Sequence, residues 1–275
     1  MLNPYRRALR LPGRLGACLV TGTEKIRCGY GNGDCLLLDF RNGIFAVADA
    51  TERFPQASRM LLERLAAEIS GAGPPANASE FETLLSRVWS QQKFIHKTTL
   101  SCLVLLDDEE GRAALLANNG DSSIIALNAN NGTTLVRTAV DMNFAGRSRR
   151  PNPVTKIALN QPGTTIVLAT DGLSDIGDIR AAGIAAKPDH LSRWIGECKR
   201  SKSEVLEIDD IGVIAVAAAY LPADCDTVIM GGTRPGRETN FVRSSRPKAA
   251  MDRWESIAAW QQSPELMDLA GIRTC

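Results

Sequence analysis

The chain has 275 residues, 44% of them hydrophobic, enough to bury one substantial core with material left for an appendage. Its formal net charge of +1 gives no global attraction to nucleic acid or to an anionic membrane, and no stretch approaches the ~18 uninterrupted apolar residues of a spanning helix. The cysteines, Cys18, Cys28, Cys35, Cys102, Cys198, Cys225 and Cys275, are an odd set without framework spacing and read as reduced thiols of a cytoplasmic protein.

Arg6, Arg7 and Arg10 resemble the charged region of a signal peptide, but Pro12-Gly13-Arg14 interrupts the apolar stretch that should follow, so export is not expected. Short aliphatic segments punctuated by Gly, Asn or Asp then predict strands at 35–40, 44–49, 100–106, 112–118, 123–127, 134–138, 164–169 and 212–218. The connections at 41–43 and 108–111 are short and contain glycine, which predicts antiparallel hairpins and argues against a parallel, doubly wound sheet. Met60, Leu61, Leu65 and Ile69, and later Leu84, Leu85, Val88 and Trp89, recur at helical spacing. They predict helices over 56–69 and 79–94, the second opened by a capping box of Ser79 and Glu82, and a further helical stretch is expected at 191–199. Paired helices between antiparallel strands imply a layered α/β (α+β) sandwich. The main domain is expected to span 1–221. Beyond it, 222–275 is locally basic and broken by Gly231-Gly232, Pro235-Gly236 and Pro247, and reads as a C-terminal extension, docked or partly ordered, with a helix at 251–260.

Aspartates recur at the ends of the apolar runs. Asp49 closes 44–48, Asn118-Asn119-Gly120 leads into Asp121, Asp171 follows Thr165-Ile166-Val167-Leu168, and Asp209-Asp210 opens Ile211-Gly212-Val213. Carboxylates that share one rim raise one another's pKa unless a cation compensates them. Oxygen-only ligands suit magnesium or manganese, whereas zinc would lack its usual donors, because the histidines are only His96 and His190 and no Cys-x-x-Cys is present. Taken singly, each aspartate is an ordinary turn or cap residue; the joint pattern points to a metal. Asp210 rivals Asp209, since a shift of one residue exchanges them. Gly29, Gly31 and Gly33 lead into a strand and lack the Gly-Lys-Ser/Thr ending of a phosphate loop, and no Gly-x-Ser-x-Gly elbow occurs. His96 is a candidate proton donor to a leaving oxygen, although a helix-end or surface histidine is the commoner role.

Phe45-Ala46-Val47-Ala48-Asp49, Thr98-Thr99-Leu100, Asn119-Gly120-Asp121-Ser122, the run from Leu168 through Asp171-Gly172 to Asp175, and the run from Asp209 to Ile214 stand in one order within 29–219. Together they resemble the motifs of the metal-dependent protein phosphatases of type 2C, the PPM family. The resemblance implies a four-layer α-β-β-α sandwich with two mainly antiparallel sheets flanked by helices. It implies a phosphoserine/phosphothreonine protein phosphatase that acts in signalling with Mn2+ or Mg2+, two ions and a third, weaker position, and a metal-activated water as nucleophile. Its partners would be a phosphorylated protein substrate and the serine/threonine kinase system that supplies it.

Carried over residue by residue, Asp49 bridges the two ions and Asp171 and Asp209 complete one shell. Ala50 stands where the family has glycine and serves through its main-chain carbonyl, Asp34 holds water at the metals, and Asp121 contributes to the third position. Arg147, Arg149 and Arg150 fall where the family carries a variable flap and are candidates to steer a phosphorylated substrate, with a solvated loop as the alternative. The chain departs from the family at Gly33, where an acidic residue is usual, at Gly29, where a phosphate-binding arginine is usual, and over 50–54. Those departures define the competing reading, a catalytically weak or inactive phosphatase-like regulatory or binding module.

Overall fold

The computed structural model describes residues 6–22, 25, 31–51, 54–92, 96–109, 111–161, 163–173, 183–195, 209–225, 227–233 and 239–242. Its first element was not foreseen. The run that resembles a broken signal peptide is a hairpin of β1 (Arg6–Leu11) and β2 (Leu15–Val20), with Pro12-Gly13-Arg14 as its turn and the Arg14 amide donating to the Leu11 carbonyl at 3.0 Å.

The predicted strands follow as β3 (Asn32–Asp39), β4 (Ile44–Asp49), β5 (Leu100–Asp108), β6 (Gly111–Asn119), β7 (Ser123–Asn128), β8 (Thr134–Arg137), β10 (Thr164–Ala169) and β11 (Ile211–Ala217). An additional short strand, β9 (Thr155–Ala158), precedes β10. Two more, β12 (Thr227–Thr233) and β13 (Thr239–Val242), lie beyond the expected domain end at 221. The strands form a six-stranded sheet ordered β1-β2-β11-β10-β7-β8 and a seven-stranded sheet ordered β13-β12-β3-β4-β5-β6-β9, antiparallel at each described pairing. The described strands thus run past 221: 227–233 and 239–242 supply β12 and β13, and β12 is hydrogen-bonded to β3. The expected helix at 251–260 lies outside the described residues.

Alternation along the strands sets the layers. Leu36, Leu38, Phe45 and Val47 of one sheet meet Ala17, Leu19, Ile166, Leu168, Ile214 and Val216 of the other in the central core. The opposite face of β3 and β4, carrying Cys35, Leu37, Ala46 and Ala48, is covered by α1 (Gln56–Ala72) and α2 (Ala78–Gln91) through Leu61, Leu65, Ile69, Leu84, Leu85 and Val88. On the outer face of the six-stranded sheet, Ile184, Ala185, Leu191 and Ile195, from two short helical stretches, pack on Cys18, Val20, Val167 and Val213. The result is the α-β-β-α sandwich, and burial on both faces explains why the strands read as continuous apolar runs.

The cap of α2 differs from expectation. Asn77 is the N-cap and accepts from the Glu80 amide at 3.0 Å, while Glu80 reaches back to the Ala76 amide at 2.8 Å. Glu82 is thereby released to accept from the Val154 amide at 2.9 Å. Among the described residues no helix is long and apolar enough to cross a membrane. Cys18, Cys35, Cys102 and Cys225 are buried, and burial pushes the Cys35 thiol up to about 12.

Candidate metal centre

Strand parity aims the acidic residues. Asp34 shares the face of Leu36 and Leu38, and Asp49 that of Phe45 and Val47, so both carboxylates point between the sheets at one rim; the register pairs them directly across β3 and β4. From the other sheet, Thr170 follows Ile166 and Leu168 on the inward face, and its hydroxyl donates to Asp34 Oδ2 at 2.7 Å. The Gly212 amide donates to Thr170 Oγ1 at 2.9 Å. A chain of hydrogen bonds thus crosses the sandwich beneath the site. Sequence reasoning gave Thr170 no role, because a lone threonine beside Asp171 carries no signal of the face it will occupy.

Asp121 sits in the connection that carries the chain from β6 in one sheet to β7 in the other. Gly120, at φ 94°, makes the turn, and a Cβ there would lie 2.8 Å from Thr99 and 3.1 Å from the Phe144 ring. The loop is tied to Asp49 through hydroxyls: Asp49 N donates to Thr99 Oγ1 at 2.8 Å, and Thr99 Oγ1 shares a 2.7 Å hydrogen bond with Ser122 Oγ. Asp171 begins a 3-10 turn, Asp171–Leu173, directly after β10. Asp49, Asp121 and Asp171 each place a carboxylate oxygen within 4.8 Å of the others, with Asp49 half-buried and the other two exposed. Three convergent oxygen donors at this spacing fit a hard divalent cation.

The electrostatics suit a site that binds a cation. Burial, then the Asp171 charge, then Asp209 and Asp121, push Asp49 up to about 7. Asp34 is raised well above the usual carboxylate range by burial and by the charges of Asp49 and Asp210. Asp171 is raised by burial and by Asp121 and Asp209. Like charges crowded at low solvent exposure favour protons unless a metal replaces them.

Asp209 and Asp210 separate clearly. Asp210 is buried and accepts the amides of Gly22 and Gly33, each at 2.7 Å, which ties the end of β2 to the start of β3. Asp209 has a side chain 61% exposed, lies outside the trio, and receives Lys25 Nζ at 3.3 Å. Lys25 is a residue that sequence reasoning missed altogether.

The neighbourhood of Ala50 explains one departure. Ala50 N donates to the Gly33 carbonyl at 3.1 Å, and a Cβ on Gly33 would stand 2.4 Å from the Ala50 oxygen. This backbone approach leaves no room for the acidic side chain usual at that place. Ala50 also forms a bridge with Thr98, which bridges in turn to Ala145. That ladder ties the strand end bearing Asp49 to the loop that carries Arg147, Arg149 and Arg150, all three exposed. The loop is further held by Asp141, which accepts from the Gly120 and Asn143 amides at 2.9 and 2.8 Å, and by Asn152, which donates to the Asn118 carbonyl at 2.7 Å.

His96 is exposed and stacks on Phe54. A cavity of about 620 Å3, whose walls include Asp121, Asp171, Arg137 and Val140, opens beside the trio. Gly29, Glu52, Arg53, Ser174 and Asp175 lie outside the described residues.

No protein-family model matches the chain, and no curated protein is similar to it in sequence. Solved structures are similar in fold. The catalytic domain of the serine/threonine protein phosphatase PstP in complex with 2 manganese ions superposes with a TM-score of 0.58 at 16% identity, over 74% of this chain and 97% of that one. The PPM Ser-Thr phosphatase MsPP from Mycobacterium smegmatis gives 0.54 at 17% identity, over 68% and 94% of the two chains. RsbX in complex with magnesium gives 0.54 at 17% identity, over 74% and 95%. At these identities the likeness establishes architecture, and the chain has the fold of the PPM-type serine/threonine phosphatases.

Proposed function

We propose that the protein is a divalent-metal-dependent phosphoserine/phosphothreonine phosphatase that uses Mn2+ or Mg2+. The observation that carries this reading is the convergence of Asp49, Asp121 and Asp171 within 4.8 Å at the rim of a PPM-type sandwich. Asp49 and Asp171 are the principal ligands and Asp121 the third, and the family resemblance adds the Ala50 carbonyl. A bound ion supplies a Lewis acid that lowers the pKa of a water and offsets charge on the phosphoryl oxygens.

The chain's own residues do the rest. Asp34, paired across the strands with Asp49 and hydrogen-bonded by Thr170, orients the Asp49 carboxylate, and burial with the Asp49 and Asp210 charges raises it above the usual carboxylate range. Arg147, Arg149 and Arg150 present exposed positive charge on a loop tethered to the same strand end, suited to drawing in a phosphorylated protein.

Phosphoserine and phosphothreonine peptides, compared with small phosphoesters in manganese, magnesium or chelator, test the proposal. Metal-dependent release of phosphate with a preference for the peptides is the expected result. Turnover confined to small phosphoesters refutes the substrate class. No turnover from folded, metal-loaded protein refutes the enzyme and favours the binding module.

A further inference from the structure

The resemblance assigns Asp209 to a metal shell, yet its immediate partner is a side chain. Lys25 Nζ lies 3.3 Å from Asp209 Oδ1 and 3.8 Å from Asp210 Oδ2, and the lysine side chain is only 11% exposed. Asp209 Oδ1 also accepts the Asp210 amide at 2.8 Å, so one oxygen of this carboxylate already serves two donors. We infer that the Lys25 ammonium is a tethered cation occupying the position of a second metal ion beside Asp209, so that this site takes up one divalent ion tightly.

Asp210 keeps the ammonium in place. Its two oxygens are committed to the amides of Gly22 and Gly33, and its side chain is 4% exposed, so it cannot turn to solvent. An ion that displaced Lys25 from Asp209 would also draw it from Asp210 and leave a buried carboxylate without its counter-charge. A divalent ion and an ammonium at hydrogen-bond range of one carboxylate also repel each other strongly. Among the described residues the trio Asp49, Asp121 and Asp171, which excludes Asp209, is the set left for the ion. The inference rests on the metal-site reading and concerns how many ions that site accepts.

Equilibrium dialysis of the full chain against Mn2+, with bound metal counted by atomic absorption, tests it without reference to turnover. Wild type is expected to hold one ion, and Asp209→Asn to leave that count unchanged. Lys25→Met is expected to acquire a second ion with affinity raised about tenfold or more over any second site in wild type, whereas Lys25→Arg stays at one. Two tightly held ions in wild type, with one lost in Asp209→Asn, overturn the inference while leaving the metal site intact; so does a folded Lys25→Met that still holds one. No ion in wild type overturns the metal-site reading and this inference with it. Should Lys25→Met fail to fold, the wild-type and Asp209→Asn counts decide.

Discussion

Removing the Asp210 carboxylate should unfold the rim of the sandwich, whereas removing its neighbour should not. Asp210→Ala leaves the buried amides of Gly22 and Gly33 without their acceptor. Each orphaned group costs about 1–3 kcal/mol, so the pair costs roughly 2–6 kcal/mol, and Lys25 loses a buried counter-charge in addition. Against a total stability of about 5–15 kcal/mol this is a severe lesion. Asp209→Ala removes an ion pair whose carboxylate is 61% exposed, which contributes about 0–1 kcal/mol. Urea denaturation of the two variants in chelator at neutral pH, followed by tryptophan fluorescence, should show a large fall in midpoint for Asp210→Ala and almost none for Asp209→Ala. Equal losses, or an Asp210→Ala midpoint within error of wild type, would refute the assignment of Asp210 as the structural member of the pair.

The metal-free protein should lose stability as pH rises. Asp34, Asp49, Asp171 and Asp210 are all raised in the folded state, so the fold holds protons that the unfolded chain has released. Stability is greatest below the unfolded value of about 4 and declines through the folded value, which for Asp49 is about 7, at roughly 1.4 kcal/mol per pH unit for each proton retained. Thermal melts from pH 5 to 8 should show this decline in chelator and its suppression by Mn2+; a flat or rising profile in chelator contradicts it. Truncation after residue 221 should abolish folding, because Val228, Ile229 and Met230 are fully buried and together contribute about 5–9 kcal/mol, and recovery of a cooperatively folding fragment would disprove this. Restoring the family's acidic residue with Gly33→Glu should destabilise by about 1–3 kcal/mol or more through the 2.4 Å approach to the Ala50 oxygen, and a variant with undiminished stability in a urea melt would show that the backbone yields.

Sequence made the fold legible where strands are buried on both faces. Ile44–Asp49 and Thr164–Ala169 were delimited to the residue because an apolar run ends abruptly at a polar rim. It was opaque where strands lie at edges or carry charge. The arginines of β1 disguised a hairpin, and the short edge strand β9 has three of its four residues exposed. Gly231-Gly232 read as a break within the C-terminal extension, yet both adopt positive φ where the pairing of β12 with β3 shifts register, and the strand continues through them.

The site divided in the same way. Asp49, Asp121 and Asp171 were visible because each ends or follows an apolar strand in sequence. The choice between Asp209 and Asp210 was not, since it depends on which carboxylate the amides of Gly22 and Gly33 reach from 188 and 177 residues away. Lys25 and Thr170 act only through contacts made across the fold, and no local pattern announces them.

The central claim is tested most directly by phosphoserine-peptide hydrolysis with Mn2+, comparing wild type with folded Asp49→Asn and Asp171→Asn. Manganese-dependent turnover that falls by roughly 10² or more in both variants, together with loss of bound metal, is the predicted result. Turnover that survives both substitutions, or persists in chelator, would contradict a phosphatase built on this metal centre.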